Sequence, residues 1–259
     1  MYTAESLKKG LKTEHFGCKI YAFDTIDSTN NCARALAGCW ADEGTVIIAE
    51  QQTAGRGRLG RPWLANPNEN LTFSIILRPS ISTESINLLP LSVCVAIAEA
   101  VEKSTGLAVE CKWPNDLLVR NKKVAGILLE GSYSQSKVDW IVIGIGLNVN
   151  QTVFPADLES KATSLKLMAG RDIDRIALFH RILENLEQSY RAGTRTGFHS
   201  ILPQWTARTR MIDKKISVME RGTLLSGTVK GVSPDGGLVL QSDGSERTIF
   251  AGDVTILAE

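Results

Sequence analysis

The stretch Ala49-Glu50-Gln51-Gln52-Thr53-Ala54-Gly55-Arg56-Gly57-Arg58-Leu59-Gly60-Arg61-Pro62-Trp63 decides how the chain is read. It places three arginines among three glycines directly after an apolar, strand-like run from Thr45 to Ala49. Glycine admits positive φ and close backbone approach, and each guanidinium presents planar donors suited to phosphate or carboxylate oxygens. The composition is that of a loop built to hold an anion. A mobile surface loop that is merely basic is the plain alternative.

Gly55-Arg56-Gly57-Arg58-Leu59-Gly60 fits the dinucleotide pattern G-x-G-x-x-G literally, but that pattern requires a helix to start at its last glycine so that a pyrophosphate meets the helix N-terminus. Here Arg61-Pro62-Trp63 runs into the turn-rich Asn66-Pro67-Asn68-Glu69-Asn70 and then the alternating strand Leu71 to Leu77. No Lys-Ser or Lys-Thr follows the glycines, which excludes a Walker loop.

Working outward, the 259 residues with 43% apolar content support a full core in one large domain or two unequal ones. Lys plus Arg number 29 against 28 for Asp plus Glu, so no global field draws the chain to nucleic acid or anionic lipid. Five cysteines without C-x-x-C spacing read as reduced core thiols of a cytosolic protein, and three scattered histidines give no metal-ligand spacing. The N-terminal residues show no signal peptide, membrane span or helix-turn-helix pattern.

A strand is expected over Lys19 to Asp24, followed by a helix whose N-terminus is the capping cluster Asp27-Ser28-Thr29-Asn30-Asn31. Ser85 to Thr105 reads as a nearly buried helix. Short strands Val109 to Lys112 and Asp116 to Arg120 frame Trp113-Pro114-Asn115, and Asn121-Lys122-Lys123 reads as a hairpin turn into Val124 to Leu129. The apolar run Trp140 to Ile145 reads as an interior strand ending in Gly144-Ile145-Gly146-Leu147-Asn148. Helices are expected over Asp174 to Arg191 and Phe198 to Trp205. Beyond Met211, five short strands separated by Gly/Ser/Asp turns predict a small antiparallel barrel beside an α+β body with a mixed sheet.

Lys112, Asn115, Asp116 and Lys123 on one hairpin, together with the Arg/Gly loop, suit a site where a carboxylate meets a nucleotide phosphate. Singly, strand-edge lysines are usually just solvated. Asn148 and Gln52 add donor–acceptor pairs of the kind that read an amide or ureido group. No Ser-His-Asp, Cys-His or paired-carboxylate set competes.

These blocks, in order, resemble the biotin protein ligases: Asp27 through Asn30, Gln52-Thr53 with Gly55 through Trp63, Lys112 through Asp116, Lys123 through Leu128 with Glu130, Gly144 through Gly146 with Asn148 through Asn150, and Ala162 through Leu165. The resemblance implies a catalytic domain of the biotin/lipoate ligase type over residues 1–211 and a small C-terminal barrel domain over 212–259. It implies formation of biotinoyl-5′-adenylate from biotin and magnesium-ATP, then transfer of biotin to a lysine of the biotin carboxyl carrier protein of acetyl-CoA carboxylase. By the same resemblance Ser28, Thr29, Asn30 and Gln52, with Gly126, hold the ureido ring. Arg56 and Arg58 hold carboxylate and phosphate, Trp63 covers the intermediate, and Lys123 bridges the carboxylate and the α-phosphate. Lys112, Asn115, Asp116 and Asn148 line the nucleotide and magnesium side, with Asp116 the candidate toward the metal. Lys123, Arg58 and Lys112 are thereby the implied catalytic groups.

Leu59 stands where some members carry another arginine, and no winged helix precedes the main body, so no transcriptional role or nucleic-acid partner is implied. A cytoplasmic enzyme without a membrane partner is expected, and a homodimer is left open. A lipoate ligase or octanoyl transferase is the nearest rival; it would need an apolar acyl channel and lacks the Gly55 to Trp63 block. A basic nucleic-acid-binding module is the rival of another class, disfavoured by balanced charge and 6% aromatic content.

Overall fold

The computed structural model describes residues 2–81, 83–134, 137–220, 222–242 and 244–257. A short helix α1 (Ala4–Lys8) leads to strand β1 (Ile20–Ile26), helix α2 (Thr29–Gly38), and strands β2 (Val46–Gln52) and β3 (Leu71–Leu77). Helix α3 (Leu89–Thr105) precedes β4 (Glu110–Lys112), β5 (Asp116–Val119), β6 (Lys122–Ser134) and β7 (Lys137–Leu147). These seven strands form one mixed sheet in the order β1-β2-β3-β7-β6-β5-β4, with β1 and β2 parallel and the other pairs antiparallel.

Strand periodicity divides this sheet into two unequal faces. Ile141, Ile143, Ile145 and Leu147 of β7 enter the large core, which also takes α3 and the later helix α5 (Arg175–Thr196) after the short α4 (Leu165–Ala169). Their alternates point the other way, where Val142, with the half-buried Trp140 beside it, joins the small apolar patch under α2 together with Ile47 and Ile76. The other alternates, Gly144 and Gly146, carry no side chain, so beyond α2 this face is left open by the sequence itself.

The apolar run from Ser85 is long enough to cross a bilayer, yet two thirds of it is buried within the fold. It divides into a 3-10 turn, Thr83–Leu88, and α3, because Pro90 in the first helical turn cannot donate to a preceding carbonyl. The predicted hairpin turn moves by one residue: Arg120 and Asn121 hold the positive φ values of 49° and 63°, and Lys122 and Lys123 already belong to β6.

Helix α6 (Ile201–Arg208) leads into β8 (Lys215–Glu220), β9 (Thr223–Val232), β10 (Leu238–Ser242), β11 (Ser245–Ile249) and β12 (Asp253–Ile256). Their order is β11-β10-β9-β8-β12, so the five expected strands form an open sheet and not the closed barrel predicted from their spacing. β11 and β12 lie at opposite edges although only Phe250, Ala251 and Gly252 join them. Four strand spacings would separate flat edges by about 19 Å. The connector reaches at most about 14 Å. The sheet therefore curls strongly without its edges pairing. Of the five cysteines, only Cys94 and Cys111 are buried; Cys18 and Cys39 are exposed, so the expectation of core thiols holds for part of the set.

The segment before β1 is fixed by a carboxylate. Glu187 of α5 accepts the backbone N–H groups of Glu14, His15 and Phe16 at 2.7, 2.6 and 2.8 Å. Burial raises its pKa, but the three donors outweigh this and leave it below the ordinary value. A depressed folded pKa gives stability that is present above the unfolded value of about 4.3 and is lost as pH falls through the folded value. Glu187→Gln is accordingly expected to cost about 1–3 kcal/mol at pH 7 and progressively less as pH falls below ~4. Thermal unfolding of both proteins across that range checks it.

Candidate active site

The open face is a trough floored by glycine. A Cβ on Gly144 would stand 2.1 Å from Oδ1 of Asn30, and one on Gly146 would stand 2.2 Å from the indole of Trp63. Gly126, opposite Gly146 in the ladder, has Trp63 and Lys123 at 3.2 and 3.1 Å from its virtual Cβ. Two adjacent strands thus lack side chains where a helix N-terminus and a loop come down on the sheet.

At one end of the trough lies the start of α2. Ser28 occupies the cap position, but its side chain makes no capping bond. That task falls to Gln52, whose Oε1 accepts from the Thr29 N–H at 2.7 Å and the Thr29 hydroxyl at 3.0 Å. The Ser74 hydroxyl on β3 lies 2.8 Å from Thr29 Oγ1 and 2.6 Å from Asn30 Oδ1. Asn30, 4% exposed, donates through Nδ2 to Glu130 Oε2 at 2.9 Å. Thr29, Asn30 and Gln52 are thus brought together beside the buried Ser28, and Ser74 and Glu130 join them.

At the other end stands Lys123, placed by a β-bulge. Three residues apart in a regular strand, Lys123 and Gly126 would face opposite sides. The β5–β6 register shifts between Leu117 and Leu118, so that Asp116 pairs with Gly126 but Leu118 pairs with Lys123. The extra residue buries both Val124 and Ala125 and turns Lys123 onto the trough face. Its Nζ lies 2.6 Å from Asp116 Oδ1 and 5.7 Å from the Trp63 ring centroid. Lys112, opposite Asp116 in the ladder, has no ion-pair partner among the described residues.

The Gly/Arg stretch forms a small closed loop over this trough. An isolated bridge joins Arg56 to Pro62, Gly57 N–H donates to the Arg61 carbonyl at 2.7 Å, and Trp63 N–H donates to the Gly55 carbonyl at 2.9 Å. Leu59 takes φ 56° at its tip, a left-handed position unusual for a branched apolar residue. The arginines point in different directions. Arg56 binds Glu130 through Nη2 at 3.0 Å and Asn31 through Nη1 at 2.8 Å. Arg58 donates to Asn115 Oδ1 at 3.1 Å and to the Gly252 carbonyl at 3.3 Å, and Arg61 pairs with Asp253. Burial lowers the Arg58 pKa, opposed by the nearby carboxylates of Asp116 and Asp253.

Asn148 sits below Lys123, donating to the Thr163 carbonyl at 3.1 Å, while the Lys161–Thr163 segment bonds the Lys123 backbone. Asn148 Oδ1 and Trp63 Nε1 are buried without a hydrogen-bond partner among the described residues. Unsatisfied buried polar atoms are uncommon in native structures and mark groups available to a ligand. No cluster of three His, Cys, Asp or Glu residues suited to a metal exists among the described residues; Asp116 is the carboxylate paired with Lys123.

Reasoning from the sequence missed Ser74, Glu130, Gly252 and Asp253 as site residues. Gly126, Leu128 and Glu130 alternate along one strand, so Glu130 was reachable from its period-two relation to Gly126. Nothing in the sequence tied the β11–β12 connector to the loop.

Comparison with known proteins agrees with this geometry. The model of the biotin/lipoate A/B protein ligase family matches residues 22–148, which contain the whole trough, and that of the biotin protein ligase C terminal domain matches 214–257. The class is that of the biotin and lipoate ligases. The bifunctional ligase/repressor BirA of Bacillus subtilis is 35% identical over 252 residues, covering 96% of this chain and 78% of that protein. The biotin–[acetyl-CoA-carboxylase] ligase of Mycobacterium tuberculosis is 33% identical, covering 89% of this chain and 86% of that protein. The chain belongs to the biotin protein ligase family. Among solved structures, the Aquifex aeolicus biotin protein ligase in complex with biotin and ATP superposes with a TM-score of 0.81 at 28% identity, covering 93% of this chain and 100% of that one.

Gly146→Ala is expected to displace Trp63 and lower kcat/KM for adenylate formation by about 10²-fold, since misplacing a positioning group by an ångström has that order of effect. Gly38→Ala, where a Cβ meets nothing within 4 Å, serves as the neutral control. Pyrophosphate release by the two variants makes the comparison.

Proposed function

We propose that the protein is an ATP-dependent biotin ligase that joins biotin to a lysine of the acetyl-CoA carboxylase carrier protein in the cytoplasm. A biotin carboxylate oxygen attacks the α-phosphorus of magnesium-ATP, pyrophosphate leaves, and biotinoyl-5′-adenylate forms. The carrier lysine amine then attacks the acyl carbon, AMP leaves, and an amide remains. The observation that carries this reading is the trough, whose glycine floor joins a cluster of neutral polar readers at one end to a lysine and arginine cluster at the other.

Thr29, Asn30, Gln52 and Ser74 offer amide and hydroxyl groups to a ureido ring. An apolar acyl chain has no use for them, so the same cluster speaks against lipoate or octanoate. At the far end Lys123 exchanges Asp116 for the meeting carboxylate and α-phosphate, with Arg58 and Lys112 adding positive charge where the transition state gathers negative charge. Asn115 holds Arg58, while Asn148 and Asp116 face the nucleotide and its magnesium. Arg56 and Trp63 close the loop over the intermediate and exclude water from a mixed anhydride prone to hydrolysis. Residues 1–211 carry this chemistry and residues 212–259 support the loop.

Three measurements test the proposal. Incubation with biotin, magnesium-ATP and a carrier domain should add one biotinoyl group to the carrier by intact mass, whereas lipoate or octanoate should add none. Lys123→Ala should slow pyrophosphate release by about 10²–10³-fold. A rate within threefold of wild type would remove Lys123 from the mechanism, by the scale of a lost charge-assisted bond, about tenfold or more. Biotin with ATP should also protect the bonds after Arg56 and Arg58 from trypsin, because ligand and loop then stabilise one another.

A further inference from the structure

Glu130 lies between the two ends of the loop's work. Its Oε2 accepts from Asn30 Nδ2 at 2.9 Å, inside the trough. Its Oε1 accepts from Arg56 at 3.0 Å and from Arg34, one turn along α2 from Asn30, at 3.2 Å. The side chain is 18% exposed, so the carboxylate is partly shielded yet has three donors.

The chemistry of these contacts is directional. A carboxylate only accepts, so Glu130 forces the amino end of the Asn30 carboxamide toward β6, while Ser74 meets its carbonyl end at 2.6 Å. Which way round the amide stands decides which of its lone pairs and protons remain for a ligand. Exposed ion pairs contribute little stability, and Arg56 is 40% exposed, so the Arg56 contact fixes geometry more than it holds the fold together.

We infer that Glu130 is a positioning residue for biotin recognition: one carboxylate sets the orientation of the Asn30 amide and tethers Arg56, coupling ureido binding to closure of the Gly55–Trp63 loop. The inference rests on Asn30 as a reader of the ureido ring. A loop that opens releases Arg56 from Glu130 and loosens Asn30. A bound ureido group holds Asn30, keeps Glu130 in place and retains Arg56.

The test measures pyrophosphate release against biotin and ATP for wild type, Asn30→Ala and Glu130→Gln, with trypsin cleavage after Arg56 and Arg58 under saturating biotin and ATP. Glu130→Gln should raise the biotin KM by about tenfold or more, the scale of one lost charged hydrogen bond, and should hasten loop cleavage. The ATP KM should rise by clearly less than the biotin KM, and the melting temperature should stay near wild type. If Asn30→Ala leaves the biotin KM unchanged, the ureido reading of Asn30 is wrong and the inference falls with it. If Asn30→Ala raises that KM but Glu130→Gln changes neither KM nor cleavage, the inference alone is overturned. Equal rises in both KM values with a lowered melting temperature would mean a structural role and overturn it as well. Should Glu130→Gln fail to fold, Arg34→Gln should shift the biotin KM and cleavage in the same direction, and wild-type behaviour there would refute the coupling.

Discussion

Everything at this site depends on a missing layer. A mostly antiparallel sheet must bury one face and can leave the other partly bare, and this one has a deep core on one face and a single ten-residue helix on the other. Beside α2 the strands present Gly126, Gly144 and Gly146, so the floor beneath Asn30 and Trp63 is backbone and not a layer of apolar side chains. The glycines are worth their weakening of the strands because only bare backbone lets Asn30 and Trp63 descend to the sheet.

The polar groups along the floor are arranged to remain nearly satisfied among themselves. Gln52 caps α2 in place of Ser28, Ser74 meets Asn30, and Lys123 neutralises Asp116. A ligand therefore exchanges partners with the protein more than it fills vacancies, and the net gain per bond is modest, about 0.5–1.5 kcal/mol. Such an exchange favours discrimination: a molecule of the wrong hydrogen-bonding pattern would break internal bonds and return none.

Most of this was legible in the sequence where the signal is local. The strands β1, β2, β3 and β7 and most of helix α5 follow from periodicity, whereas the grouping of Thr29, Asn30 and Gln52 was implied by the ordered motifs of the family resemblance. What stayed hidden depends on register. The bulge that turns Lys123 toward Gly126 leaves no mark in the residue pattern, since Val124 and Ala125 read equally well as a regular strand. The separate destinations of Arg56 and Arg58 are set by Glu130 on β6 and by Asn115 and Gly252, residues 74, 57 and 194 positions away. The unclosed C-terminal sheet is of the same kind, because strand count predicts closure but pairing of the two edges is a tertiary matter.

That open seam has a use. In a fully laced cylinder the backbone acceptors beside β12 would be occupied by a neighbouring strand. Here the Gly252 carbonyl accepts from Arg58, and Asp253, the first residue of β12, pairs with Arg61. The small sheet thus lends its unlaced margin to the large one as a docking strip for a loop some 190 residues upstream. Any drift of one sheet relative to the other pulls on the same peptide that roofs the trough, so the two halves of the chain act as a hand and its thumb.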